Sequence, residues 1–331
     1  NNLMKKILNK PENILTEMVE GFVLANPDTK KIGDLPVIAR KNKAKKVALI
    51  SGGGSGHEPS HAGFVGEGML DAAVCGEIFT SPSADKVYEA IKGTDAGMGT
   101  LLIIKNYSGD VMNFEMAADM ASAEGIKVKK VIVNDDIAVE NSTWTVGRRG
   151  VAGTIFVHKI LGAAAEKGYS LDQLEKLGNE LIPNIKTIGM ATKPCYVPTS
   201  GKLSFELKDD EIEMGVGIHG EPGTHKEKAK TADEYVEYMT SQILKEIDLK
   251  ANDEVALIVN GLGDTTLIEL FVVNNKLNKI LSQKNIKIVK TFVGNYMTSL
   301  DMGGFSISVC KLNSTFKELL QSKANTPALK Q

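Results

Sequence analysis

Short apolar runs bounded by turn residues alternate along the chain with segments whose apolar residues recur every three or four positions. The runs predict buried strands at residues 46–50, 101–104, 128–133 and 255–259. The periodic segments predict helices at residues 83–92, 113–124, 153–167, 171–181, 233–246 and 265–283. Ser83 and Ser170 are predicted N-caps, because a hydroxyl there can accept from the unsatisfied amides of the first turn. Alternating strands and helices indicate an α/β fold.

The organisation of the chain into two parts follows from its length and from a composition change. A chain of 331 residues exceeds what one hydrophobic core usually organises, so we expect two domains. Residues 183–223 are rich in Gly, Pro and Thr and predict an irregular stretch before a strand opens again near Val255. We therefore predict an N-terminal α/β domain at residues 1–185 and a C-terminal α/β domain at residues 186–331.

Charge and cysteine content exclude several classes of partner. The chain carries 39 basic and 41 acidic residues, a formal charge of −2, so neither nucleic acid nor an anionic membrane is an expected partner. The three cysteines are far apart and form no C-x-x-C pair, which favours reduced thiols over a disulfide framework or a structural zinc site. No signal peptide and no long apolar segment is recognisable, and we predict a cytoplasmic location.

A glycine-rich segment, residues 51–59, follows the first predicted strand and ends in His57-Glu-Pro. Such a loop lets backbone amides approach a ligand, although a glycine-rich turn without any ligand is an equally simple interpretation. The segment is neither a phosphate-binding P-loop nor a dinucleotide fingerprint. His57 and His61 match the H-E-x-x-H zinc motif, but Pro59 is tolerated only in the first turn of a helix, so the two imidazoles need not converge. We therefore predict no metal site.

Two further polar clusters contain candidate chemistry. Asp110 follows the second predicted strand and is either a helix cap or a functional carboxylate, and Lys105 is expected either at the surface or bonded to a specific partner. His219 lies among glycines in residues 215–223, where a tightly determined backbone can present it as a base, a metal ligand or a nucleophile, or simply hold a structural imidazole. His158 is expected in a helix, on its surface or in the core, and His225 is expected to be solvated.

Six co-linear motifs resemble those of the dihydroxyacetone kinase K family, and the resemblance spans essentially the whole chain. The motifs are residues 51–59, 76–82, 102–110, 147–151, 217–223 and 298–302. The resemblance implies two α/β domains with mixed sheets, a substrate site between the glycine-rich loops, and a homodimer. It further implies that dihydroxyacetone is held as a covalent hemiaminal on His219.

The same resemblance implies roles for five other residues. His57 and Asp110 would handle the proton of the hydroxyl that is phosphorylated, and the sequence leaves open which of the two is the base. Gly54, Ser81 and Lys105 match positions that hydrogen-bond the bound ketone.

The resemblance also implies where the phosphoryl group comes from. The chain contains neither a Walker loop nor kinase loop signatures, so we expect it to bind no cofactor itself. The implied donor is a separate L subunit that carries nucleotide and magnesium and is recharged by a phosphotransferase-system protein. An alternative within the same family is a non-catalytic paralogue that binds dihydroxyacetone and acts as co-activator of a transcriptional regulator. A self-sufficient ATP-dependent kinase is disfavoured, because no nucleotide domain is recognisable.

Overall fold

The computed structural model describes residues 5–140 and 147–331 and consists of two mixed β-sheets with helices between and outside them. Within this part of the chain the strands are β1 (Thr29–Lys31), β2 (Val37–Arg40), β3 (Ala48–Ser55), β4 (Ala72–Ile78), β5 (Thr100–Lys105), β6 (Val128–Val133), β7 (Ile185–Lys193), β8 (Tyr196–Val197), β9 (Lys202–Leu203), β10 (Glu211–Met214), β11 (His225–Lys228), β12 (Glu254–Gly261), β13 (Lys287–Gly294) and β14 (Gly303–Leu312). The helices are α1 (Ile14–Ala25), α2 (Ala84–Thr94), α3 (Ser108–Ser122), α4 (Thr154–Glu166), α5 (Leu171–Leu181), α6 (Ala232–Leu244), α7 (Leu267–Gln283) and α8 (Ser314–Leu320).

Both sheets combine parallel and antiparallel neighbours. The first sheet has the order β1-β2-β4-β3-β5-β6, in which β3 pairs in parallel with β4 and β5 while β2 runs antiparallel to its neighbours. The second has the order β11-β10-β7-β14-β12-β13, in which only the pairing of β12 with β13 is parallel among the described strands. The predicted α/β fold with mixed sheets is confirmed.

Helix α4 lies in the core between the two sheets. All of its residues from Thr154 to Ala165 are buried, which is typical of a helix that packs on every side. Its apolar side chains share one core with Leu49 and Ile103 of the first sheet and with Ile258 of the second. Helices α2 and α3 cover the opposite face of the first sheet, and α6 and α7 cover that of the second. Because this core joins the sheets, the predicted division after residue 185 stays a prediction.

The predicted strands and helices are present, with ends that differ by a few residues, and two expectations were wrong. Residues 51–55, expected in a loop, continue strand β3, and part of the expected irregular stretch forms strand β7. The glycines obscure β3 because they contribute no apolar pattern, yet the sheet needs them. A Cβ at Gly52 would overlap the carbonyl of Val74 on β4, so only glycine admits this close pairing.

The three polar residues considered as helix caps behave differently. Ser170 caps α5 in a capping box with Gln173, as predicted. Ser83 occupies the N-cap position of α2, but its hydroxyl makes no capping hydrogen bond there. Asp110 lies inside the first turn of α3, whose N-cap position is Tyr107, so the interpretation of Asp110 as a cap was wrong. Its carboxylate is thereby free to point toward other elements.

Two properties bear on the chain's surroundings. None of the helices within the described residues is long and apolar enough to span a bilayer. Cys75, Cys195 and Cys310 are buried and free.

Candidate functional site

A cavity of about 340 Å³ opens where loops of the two sheets meet. Three of the lining segments follow the carboxyl ends of β4, β5 and β6, which is where open α/β sheets usually bind ligands. The fourth follows β10 of the second sheet and carries His219. The described residues that line the cavity are Phe79, Ser81, Tyr107, Gly109, Asp110, Arg149, His219 and Glu221.

The backbone of His219 is fixed by a set of charged side chains. Its N–H donates to Glu221 Oε2 at 2.9 Å, and Glu221 Oε1 accepts from Arg149 Nη1 at 2.9 Å. Arg149 is itself held by Asp136, whose Oδ2 accepts from the guanidinium Nε at 2.8 Å. A Cβ at Gly217 would overlap the Glu221 carboxylate, so glycine is needed for this arrangement. The imidazole is therefore presented by a rigid loop, as expected.

Three rings surround the His219 imidazole. The ring centroids of Tyr107, His57 and Phe79 lie 4.3, 4.8 and 5.6 Å from that of His219. Burial lowers the pKa of His219 well below its usual value, and the neighbouring His57, Lys105 and Arg149 add to the effect. Among the described residues Nδ1 of His219 has no hydrogen-bond partner. The side chain is thus a neutral imidazole on a cavity wall, a form that can act as a nucleophile.

His57 lies directly behind His219 and is fully buried. Its Nδ1 is 2.8 Å from the carbonyl oxygen of Thr298, and because a carbonyl only accepts, the ring proton must be on Nδ1. Nε2 then carries a lone pair and has no partner among the residues described. Burial lowers the pKa of His57 to about 3, with a further contribution from the Lys105 charge.

Lys105 is fully buried and bonded to specific partners, as one of the two sequence interpretations required. Its Nζ donates to the Gly52 carbonyl at 3.0 Å, lies 3.0 Å from His61 Nε2, and forms an ion pair with Asp110 Oδ2 at 3.7 Å. Burial lowers the pKa of Lys105, and Asp110 opposes this shift. A Cβ at Gly53 would overlap the ammonium group, so glycine at this position leaves room for Lys105.

Ser81 and Gly54 occupy different places. Ser81 lines the cavity, and its hydroxyl accepts from Asn113 Nδ2 at 3.4 Å. Gly54 lies beneath the turn after β4, where a Cβ would crowd the backbone of Thr80. The structure therefore brings His219, Asp110 and Ser81 to the cavity wall, with His57 and Lys105 immediately behind them, while Gly54 is not among the described lining residues.

Tyr107, Arg149 and Glu221 also belong to the site, and sequence reasoning gave them no role. All three lie within the motifs that carried the family resemblance, so their positions were visible but their function was not. The Tyr107 hydroxyl is buried without a partner among the described residues, and burial raises the pKa of Tyr107 well above its usual value. An unpartnered hydroxyl beside a cavity is suited to bonding a ligand.

The H-E-x-x-H segment has no geometry for zinc. Residues 57–61 form turns rather than a helix, and both ring nitrogens of His61 are engaged, Nε2 with Lys105 and Nδ1 with His158 Nε2 at 2.8 Å. In the described ranges no group of three or more His, Cys, Asp or Glu side chains is arranged to hold a metal ion. His158 lies in the core on α4, one of its two expected places, and His225 is exposed on β11, as predicted.

The fold and the cavity define a two-sheet α/β protein with a polar pocket built around a neutral histidine. The chain matches the Dak1 domain over residues 20–328 and belongs to the Dak1 family. It is 54% identical over 311 residues to the "PTS-dependent dihydroxyacetone kinase 1, dihydroxyacetone-binding subunit DhaK" of Listeria innocua, covering 93% of this chain and 94% of that protein. The "PEP-dependent dihydroxyacetone kinase, dihydroxyacetone-binding subunit DhaK" of Escherichia coli is 42% identical, covering 98% and 99%.

A solved structure shows the same architecture. The "Dihydroxyacetone kinase operon co-activator Dha-DhaQ" superimposes with a TM-score of 0.90 and 38% identity, covering 95% of this chain and 97% of that one. The resemblance to the dihydroxyacetone kinase K family is confirmed.

Proposed function

We propose that this protein binds dihydroxyacetone and presents it for phosphorylation to dihydroxyacetone phosphate. The observation that carries the proposal is a group of three polar atoms without partners among the described residues. His219 Nδ1 and the Tyr107 hydroxyl belong to residues that line the cavity, and His57 Nε2 belongs to a ring whose centroid lies 4.8 Å from that of His219. Buried polar groups are rarely left without partners, so these three are suited to a small polar ligand. The names of the relatives at 54% and 42% identity support dihydroxyacetone as that ligand.

The proposed anchoring step is the addition of His219 to the ketone. One ring nitrogen attacks the carbonyl carbon, a C–N bond forms, and the electron pair of the C=O π bond moves to oxygen. The proton that the imidazole loses ends on that oxygen, which gives a neutral hemiaminal without loss of water. The lowered pKa of His219 supports this step, because it keeps the nitrogen lone pair available near neutral pH. Glycerol has no carbonyl and would be rejected by chemistry rather than by size.

His57 or Asp110 would then accept the proton of the hydroxyl that attacks the phosphoryl group. His57 presents a lone pair at Nε2, and Asp110 presents a carboxylate at the cavity wall. Lys105, beside Asp110, would stabilise negative charge on the substrate oxygens. Ser81 would add a hydrogen bond to the ketone through its hydroxyl, and Gly54 would add one through its backbone.

The phosphoryl donor in this proposal is a separate L subunit that holds nucleotide and magnesium and is recharged by the phosphotransferase system. The words "PTS-dependent" and "PEP-dependent" in the relatives' names support this source. The cavity of about 340 Å³ is much larger than a three-carbon ketone, which leaves room for a donor group to enter. We further propose that the chain acts as a homodimer in the cytoplasm and binds no cofactor of its own.

A second candidate function is a dihydroxyacetone-binding co-activator of transcription. The observation that favours it is the TM-score of 0.90 with the co-activator structure, together with 40% identity to the co-activator DhaQ of Lactococcus lactis.

A mixing assay separates the two functions. The purified chain is combined with an L subunit, its nucleotide with magnesium, and a phosphoenolpyruvate-driven donor system, and dihydroxyacetone phosphate is measured. The kinase function predicts product only when all components are present, and its failure in the complete mixture would reject that function. Ketone binding without any product would instead favour the co-activator.

A further inference from the structure

Three buried side chains form a hydrogen-bonded line that leads from the site into the core. Lys105 Nζ lies 3.0 Å from His61 Nε2, and His61 Nδ1 lies 2.8 Å from His158 Nε2. All three side chains are buried, with Lys105 and His158 wholly inaccessible. They come from different elements, since Lys105 ends β5, His61 precedes a short turn and His158 lies on α4. The reaction steps proposed above make no use of the two histidines.

The chemistry of the groups determines which atom donates and which accepts in each hydrogen bond of the line. An ammonium group only donates, so His61 must accept at Nε2 and carry its own proton on Nδ1. That proton can only be donated to His158 Nε2, which places the proton of His158 on Nδ1. His158 Nδ1 has no partner in the described part of the chain, so the line ends there. Both imidazoles must therefore be neutral for the line to exist.

We propose that His61 and His158 are positioning residues that hold the Lys105 ammonium at the substrate. This inference rests on the proposed function, because it assigns the ammonium to the bound ketone. Lys105 has three hydrogens: one is taken by the Gly52 carbonyl and one by His61. The third is left for the substrate or for Asp110, whose carboxylate is 3.7 Å away. Without His61 the ammonium would lose one of its two fixed anchors and could swing away from the cavity.

The groups around Lys105 determine how its charge responds to pH. Asp110 on α3 is the acid that faces it. The imidazoles of His57, His61, His158 and His219 interact with its charge from three other segments. Protonation of His61 would remove the acceptor and place two cations in contact. The pKa of His61 is lowered well below its usual value, by burial first and then by Lys105 and His158, so the neutral form is favoured. Burial therefore favours the neutral His61 that the line requires.

A matched pair of substitutions tests the positioning role. In His61→Gln the amide oxygen replaces Nε2 as the acceptor, whereas His61→Leu keeps the bulk and removes the acceptor. We expect kcat/KM in the mixing assay to fall about tenfold for His61→Leu and by less than about threefold for His61→Gln, since a hydrogen bond to a charged group is lost only in the first. Loss of an acceptor also disfavours the ammonium, so the alkaline limb of the pH profile should move to lower pH by about one unit in His61→Leu alone.

The outcomes separate this inference from the proposed function. The positioning role is rejected if the wild-type chain forms a ketone adduct but His61→Leu and His61→Gln do not differ from each other in kcat/KM or in pH profile. If the wild-type chain forms no adduct, the proposed function itself fails. Thermal unfolding of both variants identifies a loss that comes only from instability, because a merely structural role would lower both melting temperatures without moving the alkaline limb. Thr240→Val, which changes a buried polar side chain on α6, is the control and should leave activity unchanged.

Discussion

The buried histidines should make the folded chain sensitive to mild acid. Burial lowers the pKa values of His57, His61, His158 and His219, those of His57 and His158 to about 3. A histidine whose folded pKa lies below its unfolded pKa stabilises the fold while the pH is above the unfolded value. That stabilisation is lost as the pH falls, because the unfolded chain takes up protons that the folded chain excludes.

The size of the effect follows from the values for His57 and His158. With a folded pKa of about 3 and an unfolded pKa of about 6.5, one such histidine lowers the free energy of unfolding by about 2 kcal/mol between about pH 7 and pH 5. The two histidines together account for about 4 kcal/mol. This is a large part of the free energy of unfolding of most proteins, which is about 5–15 kcal/mol. Asp136 has the opposite effect on the free energy of unfolding. Burial raises its pKa to about 6, so the folded chain takes up this proton before the unfolded chain does and gains stability on acidification.

The assay therefore compares the pH dependence of unfolding in the wild-type chain with that in a variant that lacks one buried histidine. Urea unfolding is measured near pH 7 and pH 5 for the wild-type chain and for His158→Gln, whose amide can still accept from His61 but does not titrate. We expect the variant to lose about 2 kcal/mol less than the wild type on acidification. His225→Gln, which removes an exposed histidine, is the control and should follow the wild type. Parallel pH dependences of the wild type and His158→Gln would refute the reasoning.

Three further predictions concern the site. His219→Ala should abolish an adduct that intact-protein mass spectrometry detects at the full mass of the ketone, and an adduct that survives the substitution would reject His219 as the anchor. His57→Ala and Asp110→Ala should keep the adduct while slowing phosphoryl transfer by about 10²- to 10⁴-fold, so wild-type turnover in both would remove their role as proton acceptors. Gly53→Ala should displace the Lys105 ammonium and lower turnover by about 10²-fold. The control Gly21→Ala, in open space on α1, should leave turnover unchanged.

Much of the fold was accessible from the sequence because periodicity reports burial directly. Strand β6 and helix α5 begin and end where their patterns predict. The short strands β1 and β2 were missed, since a few residues carry too little pattern, and the longer strands β4, β7, β13 and β14 were not predicted either. The glycine end of β3 was taken for a loop. Pairing with β4 determines that segment, and no local signal in the sequence expresses it.

The site shows a similar division. His219, His57 and Asp110 could be chosen as candidate site residues from the sequence, because each lies in a motif that combines a titratable side chain with a glycine-rich segment or the end of a strand. What their neighbours do could not be selected, because it depends on contacts between distant elements. Arg149 contacts the His219 loop through Glu221, which is 72 residues away along the chain. Such a role becomes visible only when both sheets are in place.

Helix α4 fills the space between the sheets, and it therefore acts as a spacer for the chemistry. His57 follows a strand of the first sheet and His219 follows a strand of the second, so the packing of α4 between the sheets contributes to the distance between the two imidazoles. A Cβ at Gly162 on α4 would overlap the backbone carbonyl of Gly68, so a larger residue there would displace the loop before β4. Substitutions in this core should therefore be tested by activity measurements as well as by melting temperature, since a change in the interior can alter the distance between the two imidazoles.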